Sequence, residues 1–345
     1  MGEESLHGPR PLAAASNGTG PESEVLLTGA SGFVGRRLAP ALLAAGWRVR
    51  SLSRDAAQAA RRWPEQNWRQ ADLSQADDLA RALDGCRVAY YLVHSLGEGS
   101  GGLLRREREL AETFARAAER AGIERIVYLG GVAPQGAPSE HLRSRLEAGA
   151  ALRAGQVPAL ELRAAMIVGY GSASWLIVRD LAARLPLMIL PSWLRTRSQP
   201  IAIDDVVAAL AAGAGLPLTA SASYDLPGAE VLTGRQILLR TARALGHRRL
   251  ALVEVPVLSP GLSSHWVRLI TRADWSVARE LVLGLTHDLL ARSSEYWALI
   301  ERPRLLTFDE GARRSIQEER REGHMAWSGR ALESVVGRLT GGQRG

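Results

Sequence analysis

Three glycines with a spacing of three residues follow the first apolar run of the chain, which ends at Leu27. The segment reads Thr28-Gly29-Ala30-Ser31-Gly32-Phe33-Val34-Gly35 and continues into the helix-compatible Arg36-Arg37-Leu38-Ala39. Gly29 permits a tight turn, Gly32 lets an anion approach the backbone, and Gly35 lets the following helix pack closely on the strand. The helix N-terminus adds backbone amides and positive potential. The segment therefore predicts a site for the pyrophosphate of a dinucleotide, although its spacing is GxxGxxG rather than GxGxxG. The predicted contacts are Thr28, Gly29, Ser31, Gly32, Phe33, Val34, Gly35 and Arg36.

The end of the second predicted strand distinguishes the two nicotinamide cofactors. This strand, residues 48–53, ends in Ser53-Arg54, and Arg54 lies 25 residues after Gly29 (54 minus 29). An arginine here accommodates the 2′-phosphate of NADP, whereas an acidic residue binds the ribose hydroxyl of NAD. We therefore predict NADP, held by Ser53 and Arg54, with Arg36 as a second phosphate ligand. NAD is the alternative, because Asp55 either faces a ribose hydroxyl or caps the helix that follows.

His94 follows the fourth predicted strand, residues 88–93. A side chain at the carboxyl end of a parallel strand can reach the ligand crevice, and an imidazole can transfer a proton near neutral pH. We therefore take His94 as a candidate catalytic residue. The alternative is that Tyr90, Tyr91 and His94 only line the boundary between core and loop.

Short apolar runs alternate with amphipathic segments from Glu24 onward, which is the pattern of βαβ units and a parallel sheet. Strands are predicted at residues 25–28, 48–53, 68–71, 88–93, 125–129 and 160–164. Helices are predicted between them at residues 32–45, 56–61, 75–83, 104–121 and 140–154. After Gly169 the alternation fades and prolines become frequent. The pattern predicts an α/β fold, a doubly wound Rossmann parallel sheet with a smaller C-terminal α+β lobe on its carboxyl edge.

We divide the chain into four parts on the same grounds. Residues 1–23 are rich in Ala, Gly, Pro and Ser, lack the apolar region of a signal peptide, and predict a disordered leader. The NAD(P)-binding domain follows at 24–169, an intertwined substrate or partner lobe at 170–310, and a C-terminal extension at 311–345. No transmembrane segment is expected. Apolar residues at helical intervals in 266–290 favour a lobe core or a homodimer face over peripheral membrane contact.

Composition excludes several classes of mechanism. All 43 basic residues are arginines, so Schiff-base chemistry, pyridoxal phosphate attachment and a P-loop lysine are ruled out. The single cysteine, Cys86, fits a reducing compartment, and we expect a cytoplasmic protein. The net charge is +7, but the arginines alternate with acidic residues, so no nucleic-acid partner is expected. No catalytic metal is expected, because no third ligand accompanies the histidines in metal-site spacing. These are His265, His287 and His324.

Taken in order, the motifs of the chain resemble those of the short-chain dehydrogenase/reductase superfamily, and more narrowly its atypical, NmrA-like NAD(P)H-binding branch. The matching segments are TGASGFVG at 28–35, Ser53-Arg54, Asp72-Leu73, YLVHS at 91–95, RIVYLGG at 125–131, PIAIDDV at 200–206 and YDLPG at 224–228. The resemblance covers about residues 24–300. It implies that Asp72, followed by Leu73, meets the adenine amino group. It also implies that Val93 and His94 border the ribose and nicotinamide.

The chain departs from this superfamily at its usual proton-transfer pair, YxxxK. The corresponding predicted helix carries His141 and Arg145 at the same spacing, one turn apart on one face. His141 could donate a proton and Arg145 could supply a fixed positive charge, but arginine does not titrate usefully. We therefore name His141 and Arg145 as catalytic candidates. A cofactor or substrate contact, or an ordinary helix-surface pair, is the alternative.

Three functions are consistent with these features. The leading one is an NADP(H)-dependent oxidoreductase that moves hydride to or from a small carbonyl, enone or quinone-like substrate. The second is a regulatory or assembly protein that senses NADP(H) without turnover, which the loss of YxxxK favours. The third is a nucleotide-sugar epimerase or dehydratase, which would normally also need the missing tyrosine and lysine.

Overall fold

The computed structural model describes residues 23–93, 102–134, 136–184, 187–247, 251–255 and 287–322. His94 lies outside these residues, as do the predicted leader up to residue 22, most of the 266–290 segment and residues 323–345.

The described residues form strands β1 to β13 in chain order. Their bounds are Glu24–Leu27, Arg48–Ser53, Asn67–Gln70, Val88–Tyr91, Arg125–Gly131, Ala159–Ala164, Ile167–Val168, Leu187–Pro191, Arg197–Ser198, Ile201–Ala202, Ala222–Leu226, Leu232–Thr233 and Ala251–Val255. Seven of them form one sheet in the order β11-β6-β5-β4-β1-β2-β3, and every pairing in it is parallel. The chain moves outward from β1 to β3 and returns on the other side of β1 as β4. Ligands of open parallel sheets bind at the carboxyl ends of the strands where the order reverses, which here is between β1 and β4.

Helices α1 to α10 of the described residues cover both faces of this sheet. They span Gly35–Ala44, Ala56–Arg62, Ala76–Leu83, Leu103–Arg120, Glu140–Ala154, Ala173–Arg184, Ile203–Gly213, Gly234–Ala244, Glu295–Leu299 and Phe308–Arg321, with a 3₁₀ turn at Ser192–Arg195. Alternation along β1 separates the two cores: Val25 and Leu27 pack with α1 and α7, whereas Leu26 packs with α3, α4 and α5. The prediction of a doubly wound Rossmann sheet is confirmed.

Two element boundaries near the crevice differ from prediction, and both differences have a local cause. The first helix begins at Gly35 instead of residue 32, because Gly32 donates its amide to the Gly29 carbonyl at 2.9 Å and closes a turn. Strand β4 ends at Tyr91 instead of residue 93, since the Leu92 amide donates to the Thr28 hydroxyl at 3.0 Å. By contrast, β2 and α5 have the predicted bounds.

The second half of the chain is interleaved with the Rossmann sheet. It contributes β11 and α7 to the main layers, and it forms the small pairs β7–β10, β9–β12 and β8–β13. Helices α6, α8 and α10 pack around Trp175, Ile237 and Phe308, and the buried Arg179 and Glu319 join α6 to α10 at 3.0 Å. Helix α10 contains residues on both sides of the predicted boundary at 310/311. In the part of the chain that the structure describes, no helix is long and apolar enough to cross a membrane.

Candidate functional site

The glycine-rich turn lies at the carboxyl end of β1, beside the reversal of strand order. Gly29 has φ +65°, and a β-carbon there would overlap the Leu92 carbonyl oxygen. A β-carbon at Gly35 would overlap the Gly29 carbonyl. Both positions therefore require glycine for steric reasons, and Gly29 also requires it for its backbone conformation. Ser31 and Gly32 are exposed above this turn, whereas Phe33 and Val34 are half-buried.

Thr28 joins the two strands at the point of reversal. Its hydroxyl donates to the Tyr90 carbonyl at 2.8 Å and accepts from the Leu92 amide at 3.0 Å. The residue is fully buried. Its side chain thus fixes the distance between β1 and β4, and any contact with a phosphate would come from its backbone.

The start of α1 fits an anionic group. Val34 occupies the N-cap without any side-chain capping bond, and the first turn contains no acidic residue. The partial positive charge of the helix end is therefore not neutralised from within the helix. Gly29 and Gly35, where an added β-carbon would overlap the backbone, keep the turn before it compact. The turn and the helix start together fit the pyrophosphate of a dinucleotide.

The contacts of Asp55, at the carboxyl end of β2, bear on whether it caps a helix or faces a ribose. The Asp55 carboxylate accepts the Gln58 amide at 2.8 Å and caps α2, and the Ser53 hydroxyl donates to the Asp55 carbonyl at 3.0 Å. Arg54, between them, is exposed. The acidic side chain is therefore engaged by its own helix, while the arginine next to it is open to a ligand.

Asp72 follows the neighbouring strand β3 and is exposed. It accepts the amide and hydroxyl of Ser74 at 2.9 and 2.8 Å. These bonds, with a smaller contribution from the charges of Arg54 and Arg106, hold the pKa of the Asp72 carboxyl below its ordinary value. Leu73 packs partly into the core beneath it. A carboxylate that stays ionised at this edge suits the predicted contact with an amino group.

Arg36 extends towards the loop that follows β7. Its Nη2 donates to the Tyr170 carbonyl at 3.3 Å, and Gly171, with φ +93°, leaves the space that this guanidinium occupies. Val93 is half-buried just beyond β4. The structure therefore places Arg36 between the glycine-rich turn at 28–35, called the phosphate turn below, and the loop after β7. Its role as a phosphate ligand stays a prediction.

The predicted pair on α5 also lies at the carboxyl edge. Ser139 caps the helix, and His141 is half-buried in its first turn. Arg145 Nη2 donates to the Leu129 carbonyl at 2.9 Å, and its own carbonyl accepts the Tyr128 hydroxyl at 2.8 Å. The Arg145 guanidinium thus joins α5 to β5.

Comparisons with known proteins agree with this geometry. A family profile described as NAD(P)H-binding matches residues 29–180. A ceramide reductase from Caulobacter vibrioides is 30% identical over 241 residues, which cover 69% of this chain and 74% of that protein. The chain belongs to the atypical, NmrA-like branch of the short-chain dehydrogenase/reductase superfamily.

Solved structures of other proteins show the same fold. A triphenylmethane reductase from Citrobacter sp., complexed with NADP(H), superposes with a TM-score of 0.67 at 16% identity over 85% of this chain and 99% of that one. MoeE5 in complex with UDP-glucose and NAD gives 0.64 at 19% identity over 87% and 99%. The prediction of an NAD(P)H-binding domain is confirmed.

The chain lacks the tyrosine–lysine pair that is usual in this superfamily. The buried tyrosines near the site do not take the place of that tyrosine. Burial raises the pKa of Tyr90, Tyr91 and Tyr128 above the ordinary value. Tyr90 donates to the Leu210 carbonyl at 2.8 Å, as Tyr128 does to Arg145. Tyr128 is therefore a packing residue.

The sequence predicts no metal-ligand role for His287, and the structure shows where its ring lies. Its ring lies against Gly136, in the loop between β5 and α5, where a β-carbon would collide with the imidazole. The neighbouring Asp288 accepts the Arg197 amide and Nε at 2.6 and 2.9 Å. The contact joins distant parts of the chain, so no local pattern could have revealed it.

Proposed function

We propose that this chain is an NADP(H)-dependent reductase of a carbonyl, enone or quinone-like substrate. The preference for NADP rests on one observation: Asp55 caps α2 while Arg54 beside it is exposed. The reductase activity is supported by the Caulobacter ceramide reductase, which is similar over most of its length. The name of that relative also makes a ceramide-like lipid a candidate substrate.

Residues already described would hold the cofactor. The turn at 28–35 and the start of α1 bind the pyrophosphate, Arg54 and Ser53 bind the 2′-phosphate, and Asp72 meets the adenine. When bound, NADPH supplies the hydride that the substrate carbon accepts.

The substrate oxygen must gain a proton in the same reaction, and we assign this to a histidine at the carboxyl edge. His141 is our first choice, because it occupies the position at which the superfamily carries its tyrosine. His287 lies against the loop that precedes α5 and is the second choice. His94, predicted from the sequence, lies outside the described residues and stays a candidate on its sequence position. Arg145 supplies positive charge near the end of β5 and does not transfer a proton.

NADPH consumption tests this proposal. The wild-type protein is incubated with a panel of carbonyls, enones, quinones and ceramide-like ketones, and the loss of NADPH absorbance is followed. We expect turnover of at least one class, a large loss of kcat in His141→Ala, and unchanged NADPH affinity in that variant. Full activity in His141→Ala, His287→Ala and His94→Ala alike would refute proton donation by these residues.

A non-catalytic NADP(H) sensor is the second candidate function. Two observations favour it: the chain has no lysine, and the Arg145 guanidinium is engaged by the Leu129 carbonyl. Tight NADPH binding without consumption across the whole panel would support it. The buried Cys86 agrees with the reducing conditions of a cytoplasmic protein in either case.

A further inference from the structure

Arg37, the residue after the predicted phosphate ligand, connects three separate parts of the molecule. Its Nη1 donates to the Phe33 carbonyl in the phosphate turn at 3.0 Å. Its Nη2 donates to the Tyr170 carbonyl after β7 at 2.7 Å and also pairs with the Glu318 carboxylate on α10. A planar guanidinium can serve these acceptors together, which a flexible ammonium could not do with the same geometry.

The Phe33 side chain takes part in the same contact. The Arg37 guanidinium carbon lies 4.9 Å from the centre of the Phe33 ring. On its other side the ring packs against the loop after β7, where a β-carbon at Gly169 would approach it to 2.9 Å. Phe33 is therefore held through both its carbonyl and its ring, within the segment that shapes the phosphate turn.

Charge makes Glu318 necessary to this arrangement. The Arg37 side chain is only 17% exposed, and Glu318 is 38% exposed. Burial lowers the pKa of the Arg37 guanidinium, the Glu318 carboxylate opposes that change, and Arg36 adds to it. Glu322 adds a weaker attraction, but Glu318 is the carboxylate that contacts the guanidinium, and without it a largely buried cation would lose its paired acceptor and tend to move towards solvent.

We propose that Arg37 and Glu318 are positioning residues for the cofactor pyrophosphate. Arg37 holds the phosphate turn in its anion-accepting shape, and Glu318 holds Arg37, so helix α10 becomes a support of the cofactor site although it lies at the other end of the described chain. By thermodynamic linkage, cofactor binding must then strengthen the docking of α10. This inference rests on NAD(P)H binding and is independent of turnover and of the substrate.

The test measures NADPH and NADH dissociation constants by fluorescence titration of the full chain without substrate. Variants Glu318→Gln and Arg37→Met should each raise both constants by about 3- to 30-fold, the range found for residues that transmit coupling. The losses for NADPH and NADH should be equal, because the pyrophosphate is common to both cofactors. Arg37→Lys should recover part of the affinity. Amide hydrogen exchange of residues 308–321 should slow when NADPH binds to the wild type and change less in Glu318→Gln.

Asp204→Asn is the matched control. Asp204 pairs with Arg314 at 3.4 Å and also joins α10 to the main domain, but it has no contact with the phosphate turn among the described bonds. It should leave both constants within about two-fold of the wild type.

A Glu318→Gln variant that melts at a lower temperature yet binds both cofactors like the wild type would overturn the proposal. The contact between Arg37 and Glu318 would then be purely structural. If Arg37→Met does not fold, the cofactor affinities of Glu318→Gln, at the more exposed residue of the pair, test the proposal alone. A wild-type protein that binds neither cofactor would overturn the cofactor assignment itself.

Discussion

The α-carbon of Gly29 faces the carbonyl oxygen of Leu92 so closely that no side chain fits between the ends of β1 and β4. This contact places the phosphate turn directly beside the reversal of strand order. Just before it, Thr28 still pairs with β4: its amide donates to the Tyr90 carbonyl at 3.1 Å, and its hydroxyl bonds to Tyr90 and Leu92.

Substitution of Gly29 should therefore affect both stability and binding. We expect Gly29→Ala to lower the free energy of unfolding by about 3 kcal/mol, from a positive φ and an overlapping β-carbon together. NADPH affinity should fall as well, because the turn must open. Gly46→Ala is the control, since Gly46 has φ +88° but no atom within 4 Å of its β-carbon position. It should cost only about 1–2 kcal/mol and leave NADPH binding intact. Chemical denaturation and fluorescence titration measure the two effects, and equal losses in both variants would contradict the steric explanation.

Reversal of charge at Arg54 should change cofactor preference. Arg54→Asp should weaken NADPH by about 10- to 100-fold, the value of a charge-assisted bond to phosphate, and should alter NADH affinity far less. Arg61→Asp, on the exposed side of α2, makes the same charge change away from the end of β2. Isothermal titration with both cofactors gives the ratio. Equal losses for NADPH and NADH in Arg54→Asp would remove the 2′-phosphate assignment.

Asp55 should behave as a helix cap and not as a ribose ligand. Asp55→Ala removes the acceptor of the Gln58 amide, so the free energy of unfolding should drop by about 1 kcal/mol. Asp55→Asn retains an oxygen acceptor and should recover most of that stability. Neither variant should change the ratio of NADPH to NADH affinity. A selective loss of NADH binding in Asp55→Ala would show that the carboxylate meets the ribose after all.

The thiol of Cys86 should report on folding. Burial raises its pKa to about 11, so the folded state disfavours the thiolate. In the folded protein at pH 8, reaction with a disulfide reagent should be slow, and one thiol per chain should react quickly after unfolding in guanidinium. Because the folded pKa lies above the unfolded one, this thiol's contribution to stability is present below about pH 8.5 and decreases as the pH rises towards 11. In Cys86→Ala, the decrease of stability between about pH 8.5 and 11 that is due to the thiol should be absent. Rapid labelling of the native wild type at pH 8 would contradict the predicted burial of the thiol.

The fold and the phosphate turn could be predicted because their determinants are local. Alternating apolar segments specify strands and helices, and the glycine spacing at 29, 32 and 35 specifies a turn that only short-range contacts need to close. The pattern at 53–55 predicted both an arginine for the 2′-phosphate, which stays a prediction, and a carboxylate that could cap a helix. The capping bond to Gln58, three residues along the chain, favours the helix-cap role of Asp55.

The sequence by itself thus determined an α/β nucleotide-binding chain without lysine, in which the usual tyrosine–lysine pair is absent. Tertiary structure alone decided which neighbours each polar group meets. Packing brought Arg145 onto the Leu129 carbonyl, His287 onto Gly136, and Arg37 onto Glu318, which is 281 positions away. Such contacts depend on how whole elements pack, and a guanidinium or imidazole has the same sequence signature whether it meets a carbonyl, a carboxylate or a ligand.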